Sequence, residues 1–169
     1  MFSQASEQPP RILIIGNGGA GKSWLAQRLS SRFAIPCIEQ DALYFIGEGY
    51  TTTRSKEDTI VLALQQAERP GWVSEGVFGW LASALLPHAT QLIWLSHEDQ
   101  ACVANVMQRG RRGGASQQSF DELIEWVNSY RSRNGSSSFA SHQRLFDGFA
   151  GEKYQMSNRE EVLAFVRAI

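Results

Sequence analysis

Cysteine, histidine and long apolar runs are scarce in this sequence of 169 residues. The two cysteines, Cys37 and Cys102, are too few for a disulfide framework, and we expect both to be small buried residues in a reducing compartment. The three histidines share no ligand spacing, which argues against a histidine-based metal or nucleophilic site. No apolar run has the length of a membrane span, and residues 1–10 lack the apolar segment of a signal peptide. We therefore expect a cytoplasmic protein without a membrane partner, with a flexible tail over 1–10 and a single domain over 11–169.

An excess of charge of either sign is also missing. Sixteen basic residues stand against seventeen acidic ones, so no overall field attracts nucleic acid, and any anion site must be local. Hydrophobic residues make up 43% of the chain and aromatic residues 11%, which at this length is enough for one substantial core. The composition predicts one ordinary globular domain.

The most specific motif is the octapeptide Gly16-Asn17-Gly18-Gly19-Ala20-Gly21-Lys22-Ser23. It fits the phosphate-loop pattern, in which two glycines separated by four residues are followed by a lysine and a hydroxyl residue. An apolar run over 12–15 precedes it, and apolar residues at helical spacing follow it, so a buried strand leads through the loop into a helix. In such a loop the backbone amides surround phosphate, Lys22 reaches the β- and γ-phosphates, and Ser23 is a ligand of Mg²⁺. We predict that these eight residues bind ATP with Mg²⁺.

The same residues allow a second interpretation. Gly16, Gly18 and Gly21 also spell the GxGxxG of a dinucleotide-binding turn, with Glu39 or Asp41 about twenty residues later as a ribose ligand. That fingerprint does not require a lysine and a hydroxyl residue straight after its last glycine, and the short chain leaves little room for a separate substrate domain. The phosphate loop is the preferred interpretation.

Beyond this loop, segments that predict strands alternate with segments that predict helices. Strands are predicted at 12–15, 35–39, 72–74, 91–95 and 153–156, and helices at 21–33, 55–67, 78–86, 98–109, 120–130, 139–149 and 158–166. Residues 42–53 combine aromatic residues with glycines, which is typical of a substrate-facing loop. The alternation predicts right-handed βαβ units and a parallel sheet that binds ligands beyond the carboxyl ends of its strands.

Two carboxylates follow predicted strands at the edge where the phosphate loop lies. Asp41 follows the second strand and Glu75 the third, so both can approach one bound phosphate and its metal. Asp41 is a candidate to accept the proton of an acceptor hydroxyl or to orient the acceptor and Mg²⁺, and its alternative role is a helix or turn cap. Glu75 is a candidate substrate contact that could instead simply end its strand. We predict Ser23 and Asp41 at the metal.

Five arginines are candidates for binding phosphate. Three of them lie in a glycine-rich segment over 109–118, namely Arg109, Arg111 and Arg112. Glycines on both sides favour a lid that closes over the transferring phosphate, and the alternative is a solvated basic loop. Arg131 and Arg133 form a second candidate pair, for which the alternative is a solvated helix end.

These motifs resemble those of the adenylate-kinase-like P-loop proteins over nearly the whole chain. The phosphate loop, the run Asp41-Ala42-Leu43-Tyr44, the segment 72–76 and the arginine segment carry the resemblance. More narrowly, the chain is similar to the nucleotide-kinase-related group called DNA topology modulation proteins, in which an Asp-x-x-Tyr and a strand ending in an acidic residue and glycine follow the phosphate loop. The resemblance implies a three-layer α/β/α P-loop NTPase fold with a five-stranded parallel sheet, as in nucleoside monophosphate kinases. It also implies ATP and Mg²⁺, a short lid, and Tyr44 as a substrate contact.

Two functions stay open at this point. The first is a Mg-ATP-dependent phosphotransferase acting on a nucleotide or a small hydroxylated metabolite. Acceptors like those of shikimate or gluconate kinase are admissible because no monophosphate-binding arginine is recognisable after Asp41, Arg54 being the nearest. The second is an ATP-binding regulatory P-loop protein, associated with nucleic acid and without a small acceptor. The even charge balance argues against nucleic acid as a partner. The sequence leaves the acceptor and the oligomeric state undefined.

Overall fold

The structure is a computed structural model that describes residues 8–169. Its strands and helices follow one another in this order: β1 (Arg11–Gly16), α1 (Lys22–Phe33), β2 (Cys37–Glu39), α2 (Gln40–Tyr44), β3 (Phe45–Ile46), β4 (Thr52–Thr53), α3 (Lys56–Ala67), β5 (Trp72–Gly76), α4 (Gly79–Leu85), β6 (Gln91–Leu95), α5 (Asp99–Arg109), α6 (Gln117–Asn128), α7 (Phe139–Gly148), β7 (Glu152–Met156) and α8 (Arg159–Ala168). A short 3₁₀ turn at Leu86–His88 follows α4. Within the described range, no helix is long and apolar enough to cross a membrane.

Five of the strands form one parallel sheet in the order β2-β5-β1-β6-β7. β1 is the central strand. β5 and β2 lie on one side of it, and β6 and β7 lie on the other, so the order in which the chain adds strands reverses at β1. In sheets of this kind the crevice for ligands opens at the carboxyl ends of the strands where the order reverses. The loop that follows β1 lies at that crevice. This topology confirms the predicted three-layer α/β/α fold with a five-stranded parallel sheet.

Helices cover both faces of the sheet, which explains the continuous apolar run in β1. Ile12 and Ile14 belong to the core that the sheet shares with α1, α5 and α8, whereas Leu13 and Ile15 belong to the core shared with α3, α4 and α7. All four side chains are fully buried. A strand buried on both faces has no solvent side on which alternating polar residues could lie.

The segment over 42–53 differs from its prediction as an irregular loop. The chain instead forms the short helix α2 and a hairpin in which Phe45 pairs with Thr53 and Ile46 with Thr52. Strands of two residues are too short to show an alternating pattern, which is why the sequence did not indicate them. We call residues 45–53 the aromatic hairpin.

Several predicted boundaries also shift, among them those of α6 and of the N-terminal tail. Helix α6 begins at Gln117, because Ser116 caps it by accepting a hydrogen bond from the Ser119 amide at 3.1 Å. The predicted tail ends earlier than Pro10, since the Pro10 carbonyl accepts a hydrogen bond from the Trp72 amide at 3.1 Å. The rest of the predicted tail, residues 1–7, lies outside the described residues.

Candidate functional site

The phosphate loop is held between β6, α5 and α6. Gly19 has a φ of +75°, and a Cβ there would lie 2.4 Å from the Cys102 carbonyl oxygen in α5, so only glycine fits this approach. Asn105, also in α5, donates its side-chain amide to the Gly19 carbonyl at 2.9 Å. From the other side, the Asn17 amide donates to the Val127 carbonyl of α6 at 2.8 Å. The loop is therefore fixed by its neighbours as well as by its own glycines.

Lys22 and Ser23 stand at the start of α1, next to a carboxylate from β5. Lys22 is only 8% exposed, and its Nζ donates to the Asn17 carbonyl at 2.6 Å. The Ser23 hydroxyl donates to Glu75 Oε1 at 3.0 Å. Burial lowers the pKa of Lys22, and the negative charges of Glu75 and Asp41 oppose that effect. Burial raises the pKa of Glu75, and Lys22 and the Ser23 hydrogen bond oppose it. The lysine and the two carboxylates thus form one electrostatic cluster beside the loop.

A cavity of about 770 Å³ opens beside this cluster at the carboxyl edge of the sheet. The residues predicted from the sequence that line it are Gly18, Gly19, Gly21, Lys22, Ser23, Asp41, Glu75, Arg109 and Arg112. Residues separated by up to about 90 positions in the chain therefore meet around one space. A cavity of this volume is in the size range of small-molecule sites.

The other predicted residues stand elsewhere. Gly16, Asn17 and Ala20 shape the phosphate loop without lining the cavity, and Arg111 does not line it either. Tyr44 does not line the cavity, and its ring packs against that of Phe78, which does, with 4.9 Å between the centroids. Its position therefore gives no support to a direct substrate contact.

Arg131 and Arg133 also lie outside the cavity lining, where their guanidinium groups bind other parts of the chain. Arg131 donates to Asp99 Oδ1 at 2.9 Å and to the Ser96 carbonyl at 3.1 Å. Arg133 donates to the Ser137 carbonyl and stacks over the Trp126 ring with 3.6 Å between guanidinium carbon and ring centroid. Both arginines therefore brace the loops around the site, and their geometry gives no support to phosphate binding.

The predicted lid is a connection over 110–116 between α5 and α6. It meets the tip of the aromatic hairpin, because a Cβ on Gly49 would lie 3.4 Å from the Gly114 carbonyl oxygen. Burial lowers the pKa of Arg109 and so does the nearby charge of Arg112, while Tyr50 and Asp41 raise it. The charges of Arg112 and Asp41 therefore act on Arg109 in opposite directions.

Several lining residues had weak signals or none in the sequence. Phe45, Tyr50 and Phe78 form a continuous wall, with ring centroids 5.2 Å apart for Phe45 and Tyr50 and 6.1 Å apart for Phe45 and Phe78. The aromatic and glycine-rich composition of 42–53 indicated the first two. Gln40 lies outside the lining and had no signal either, yet it explains why the lining residue 76 is glycine, because a Cβ at Gly76 would lie 2.2 Å from Gln40 Oε1.

A buried chain of hydrogen bonds holds the loop after β5. The Val77 carbonyl, in a residue that lines the cavity, accepts from His142 Nε2 at 2.9 Å. A carbonyl can only accept, so Nε2 carries the proton and Nδ1 accepts from the Tyr130 hydroxyl at 2.7 Å. Trp94 Nε1 in turn donates to the Tyr130 oxygen at 3.0 Å. Burial lowers the pKa of His142 from 6.5 to about 4, so this chain consists of neutral groups near pH 7.

The polar groups beside Lys22 suit a hard cation. The Ser23 hydroxyl and the carboxylates of Glu75 and Asp41 offer oxygen ligands, which Mg²⁺ prefers. Because the Ser23 hydrogen is directed at Glu75, the lone pairs of its oxygen stay available. Among residues 8–169, no three His, Cys, Asp or Glu side chains cluster into a metal site. A Mg²⁺ that bridges phosphates needs only one or two ligands from the protein, so the residues fit this ion.

Comparison with known proteins gives a fold and no family. No protein-family model matches the sequence, and no curated protein matches it significantly. Among solved structures, the chain is similar to shikimate kinase from Bacteroides thetaiotaomicron, with a TM-score of 0.59 and 15% identity over 94% of this chain and 95% of that one. It is also similar to a gluconokinase from Sinorhizobium meliloti 1021, with a TM-score of 0.52 and 14% identity over 95% and 93%. For shikimate kinase from Acinetobacter baumannii in complex with shikimate, the TM-score is 0.56 and the identity 13% over 95% and 90%.

At these identities the likeness establishes the fold alone. The narrower resemblance to DNA topology modulation proteins stays a prediction. The chain shares its fold with shikimate kinase and gluconokinase.

Proposed function

We propose that this protein is an ATP-dependent phosphotransferase that transfers a phosphoryl group to the hydroxyl of a small acceptor. The observation that carries the proposal is the single cavity in which Lys22 and Ser23 face Asp41, Glu75 and the lid arginines. A donor site, a candidate base and cations near the transferring group are the parts that phosphoryl transfer requires.

In the proposed reaction the acceptor oxygen attacks the γ-phosphorus of ATP, and its proton passes to the Asp41 carboxylate. The bond from that phosphorus to the oxygen bridging the β-phosphate breaks, and ADP leaves with the bonding electrons. Lys22 stabilises the negative charge on the transferring group, and Arg109 and Arg112 exclude water as the lid closes. When bound, Mg²⁺ neutralises part of the charge of the β- and γ-phosphates.

Glu75 acts on this machinery through Ser23. By accepting a hydrogen bond from the Ser23 hydroxyl, with 3.0 Å between the two oxygens, it leaves the lone pairs of the Ser23 oxygen free for the metal. Asp41 differs, since its carboxylate has no hydrogen-bond partner among the described residues and lines the cavity. We therefore assign the proton-accepting role to Asp41 and a positioning role to Glu75.

The arginine contacts favour a small acceptor over nucleic acid. A nucleic-acid surface needs cations that are free to neutralise phosphates. Arg131 is held by Asp99 and two carbonyl groups, and Arg133 by the Ser137 carbonyl and the Trp126 ring. The second basic pair that the sequence offered is thus already engaged within the chain.

The test is ADP release from Mg-ATP across a panel of alcohols and nucleoside monophosphates. We expect at least one acceptor to stimulate ADP release, and Lys22→Ala to lower the stimulated rate by orders of magnitude. Lys56→Ala removes an exposed lysine outside the cavity and is the matched control, with an unchanged rate expected. ATP turnover that no acceptor stimulates would instead support the regulatory alternative.

A further inference from the structure

We infer that the phosphate acceptor is an uncharged alcohol carried on a flat aromatic ring, rather than a hydroxy acid or a nucleoside monophosphate. This inference rests on the proposed phosphotransferase function and names the substrate class of the same site. Two independent features of the cavity carry it: an aromatic wall beside Asp41, and the absence of surplus positive charge in the lining.

The aromatic wall consists of Phe45, Phe78 and Tyr50. Phe45 follows Asp41 by four residues and Phe78 follows Glu75 by three, so the wall rises beside the two carboxylates. An acceptor hydroxyl that reaches Asp41 therefore brings the rest of its molecule against these rings. Flat rings stack on such surfaces, whereas polyhydroxylated chains lose hydrogen bonds to water there without replacing them.

A second aromatic layer packs behind the Phe45 and Phe78 rings of this wall. The Tyr44 ring lies behind it, with centroids 5.2 Å from Phe45 and 4.9 Å from Phe78, and Trp80 lies 5.6 Å from Phe78. The rings meet edge to face or tilted, which is the favoured geometry for aromatic pairs. These contacts support Phe45 and Phe78 as a surface on which a flat ring can stack.

The charges around the cavity argue against an anionic acceptor. Its lining holds three cations, Lys22, Arg109 and Arg112. It also holds three carboxylates, those of Asp41, Glu75 and Glu122. The lining is thus formally neutral before ATP enters, and the triphosphate adds negative charge beyond what one Mg²⁺ cancels. A second anion beside Asp41 and Glu75 would meet net repulsion.

Three arginines that the sequence offers near the site are hydrogen-bonded within the chain. Arg54, the first arginine after Asp41, donates to the Leu43 carbonyl at 2.7 Å and does not line the cavity. Arg131 and Arg133 bind Asp99 and the Ser137 carbonyl. Within the described part of the chain, the acceptor end of the cavity therefore has carboxylates and rings and no cation of its own apart from those of the lid.

The experiment compares neutral acceptors with anionic relatives. Benzyl alcohol is paired with 4-(hydroxymethyl)benzoate, which keeps the same acceptor hydroxyl and adds a carboxylate. Each nucleoside is compared with its 5′-monophosphate, in which the phosphate is the accepting group, while glycerol, shikimate and gluconate represent acceptors without an aromatic ring. With Mg-ATP, we expect kcat/KM to be at least about tenfold higher for the neutral aromatic member of each accepted pair. Preference for the anionic member, or equal use of glycerol, overturns the inference while the phosphotransferase function stands. If ATP binds and no acceptor is phosphorylated, the proposed function itself fails.

A pair of variants tests the wall directly. Tyr50 and Ile46 are both 44% exposed on the aromatic hairpin, but only Tyr50 lines the cavity. Tyr50→Asn keeps the positive φ of 55°, which asparagine tolerates, and removes the ring. We expect it to raise the KM for the aromatic acceptor by about tenfold, and Ile46→Asn to leave that KM unchanged. Equal KM values for the two variants would show that the wall does not hold the acceptor.

Discussion

Replacing Gly19 by alanine perturbs the phosphate loop at its tightest contact with the rest of the fold. Two costs add at this position. A residue with a Cβ at a φ of +75° loses about 1–2 kcal/mol in the left-handed region. The new methyl group would also lie 2.4 Å from the Cys102 carbonyl oxygen and 2.8 Å from a Val106 methyl, which forces α5 or the loop to move. Overpacking of this kind costs about 1–3 kcal/mol more.

Two other glycines separate these costs. Gly21 has a φ of +89° and Gly135 a φ of +95°, and a Cβ on either would meet nothing within 4 Å. Gly21→Ala and Gly135→Ala therefore suffer only the conformational cost. Gly135 is also outside the cavity lining, so its variant is the control for nucleotide binding.

Urea unfolding without nucleotide measures the difference. We expect Gly19→Ala to unfold with a free energy lower than that of Gly135→Ala by about 1–3 kcal/mol. At a urea slope of about 2 kcal/mol per molar, this lowers the midpoint by about 0.5–1.5 M. Isothermal titration with Mg-ATP should show weakened binding for Gly19→Ala and wild-type binding for Gly135→Ala. Equal unfolding free energies for the two variants would refute the argument that α5 and the loop are in close, rigid contact.

Three further outcomes follow from the site. Asp41→Asn should lower the transfer rate by about 10²–10⁴-fold, because the amide cannot take the acceptor proton. Titration with ATP should show an unchanged affinity. A lost ATP affinity would instead make Asp41 a metal-site residue. Trypsin should cut after Arg109, Arg111 or Arg112 in the protein without ligands. With Mg²⁺ and a bisubstrate analogue, cleavage at these sites should be much slower, because the lid closes. An unchanged cleavage rate would show that these arginines belong to a solvated surface loop. His142 is fully buried, and its pKa falls from 6.5 in the unfolded chain to about 4 in the folded protein. The neutral imidazole therefore stabilises the fold, and this contribution is fully present above pH 6.5 and is lost as the pH falls toward 4. At about 1.4 kcal/mol per pH unit this loss is about 3 kcal/mol, and His142→Gln should flatten that part of the stability profile.

The parts of the fold that could be predicted from the sequence are those whose signals are local. The strand, the phosphate loop and the first helix occupy one continuous stretch, so a motif of eight residues and an apolar run define them. Asp41 and Glu75 were predicted near the loop because parallel strands end at the same edge. The cavity lining contains both.

The parts that could not be predicted depend on partners distant in the chain. Arg131 was predicted either to bind phosphate or to be a solvated helix end, and neither prediction included its partner Asp99, which lies 32 residues earlier. The hydrogen bond from Ser23 to Glu75 spans 52 residues, so its geometry had no sequence signal. Tyr44 and Phe45 are adjacent and equally aromatic, and only the turn from α2 into the hairpin decides which of them lines the cavity.

Phosphorus NMR of the reaction mixture tests phosphoryl transfer most directly. The protein is incubated with Mg-ATP and a mixture of neutral, carboxylated and phosphorylated alcohols, and Lys22→Ala is run in parallel. The proposed function predicts a new phosphomonoester signal that grows in a one-to-one ratio with ADP in the wild type and is absent in the variant. ADP appearing with inorganic phosphate alone, or ATP that stays intact although it binds, would contradict it.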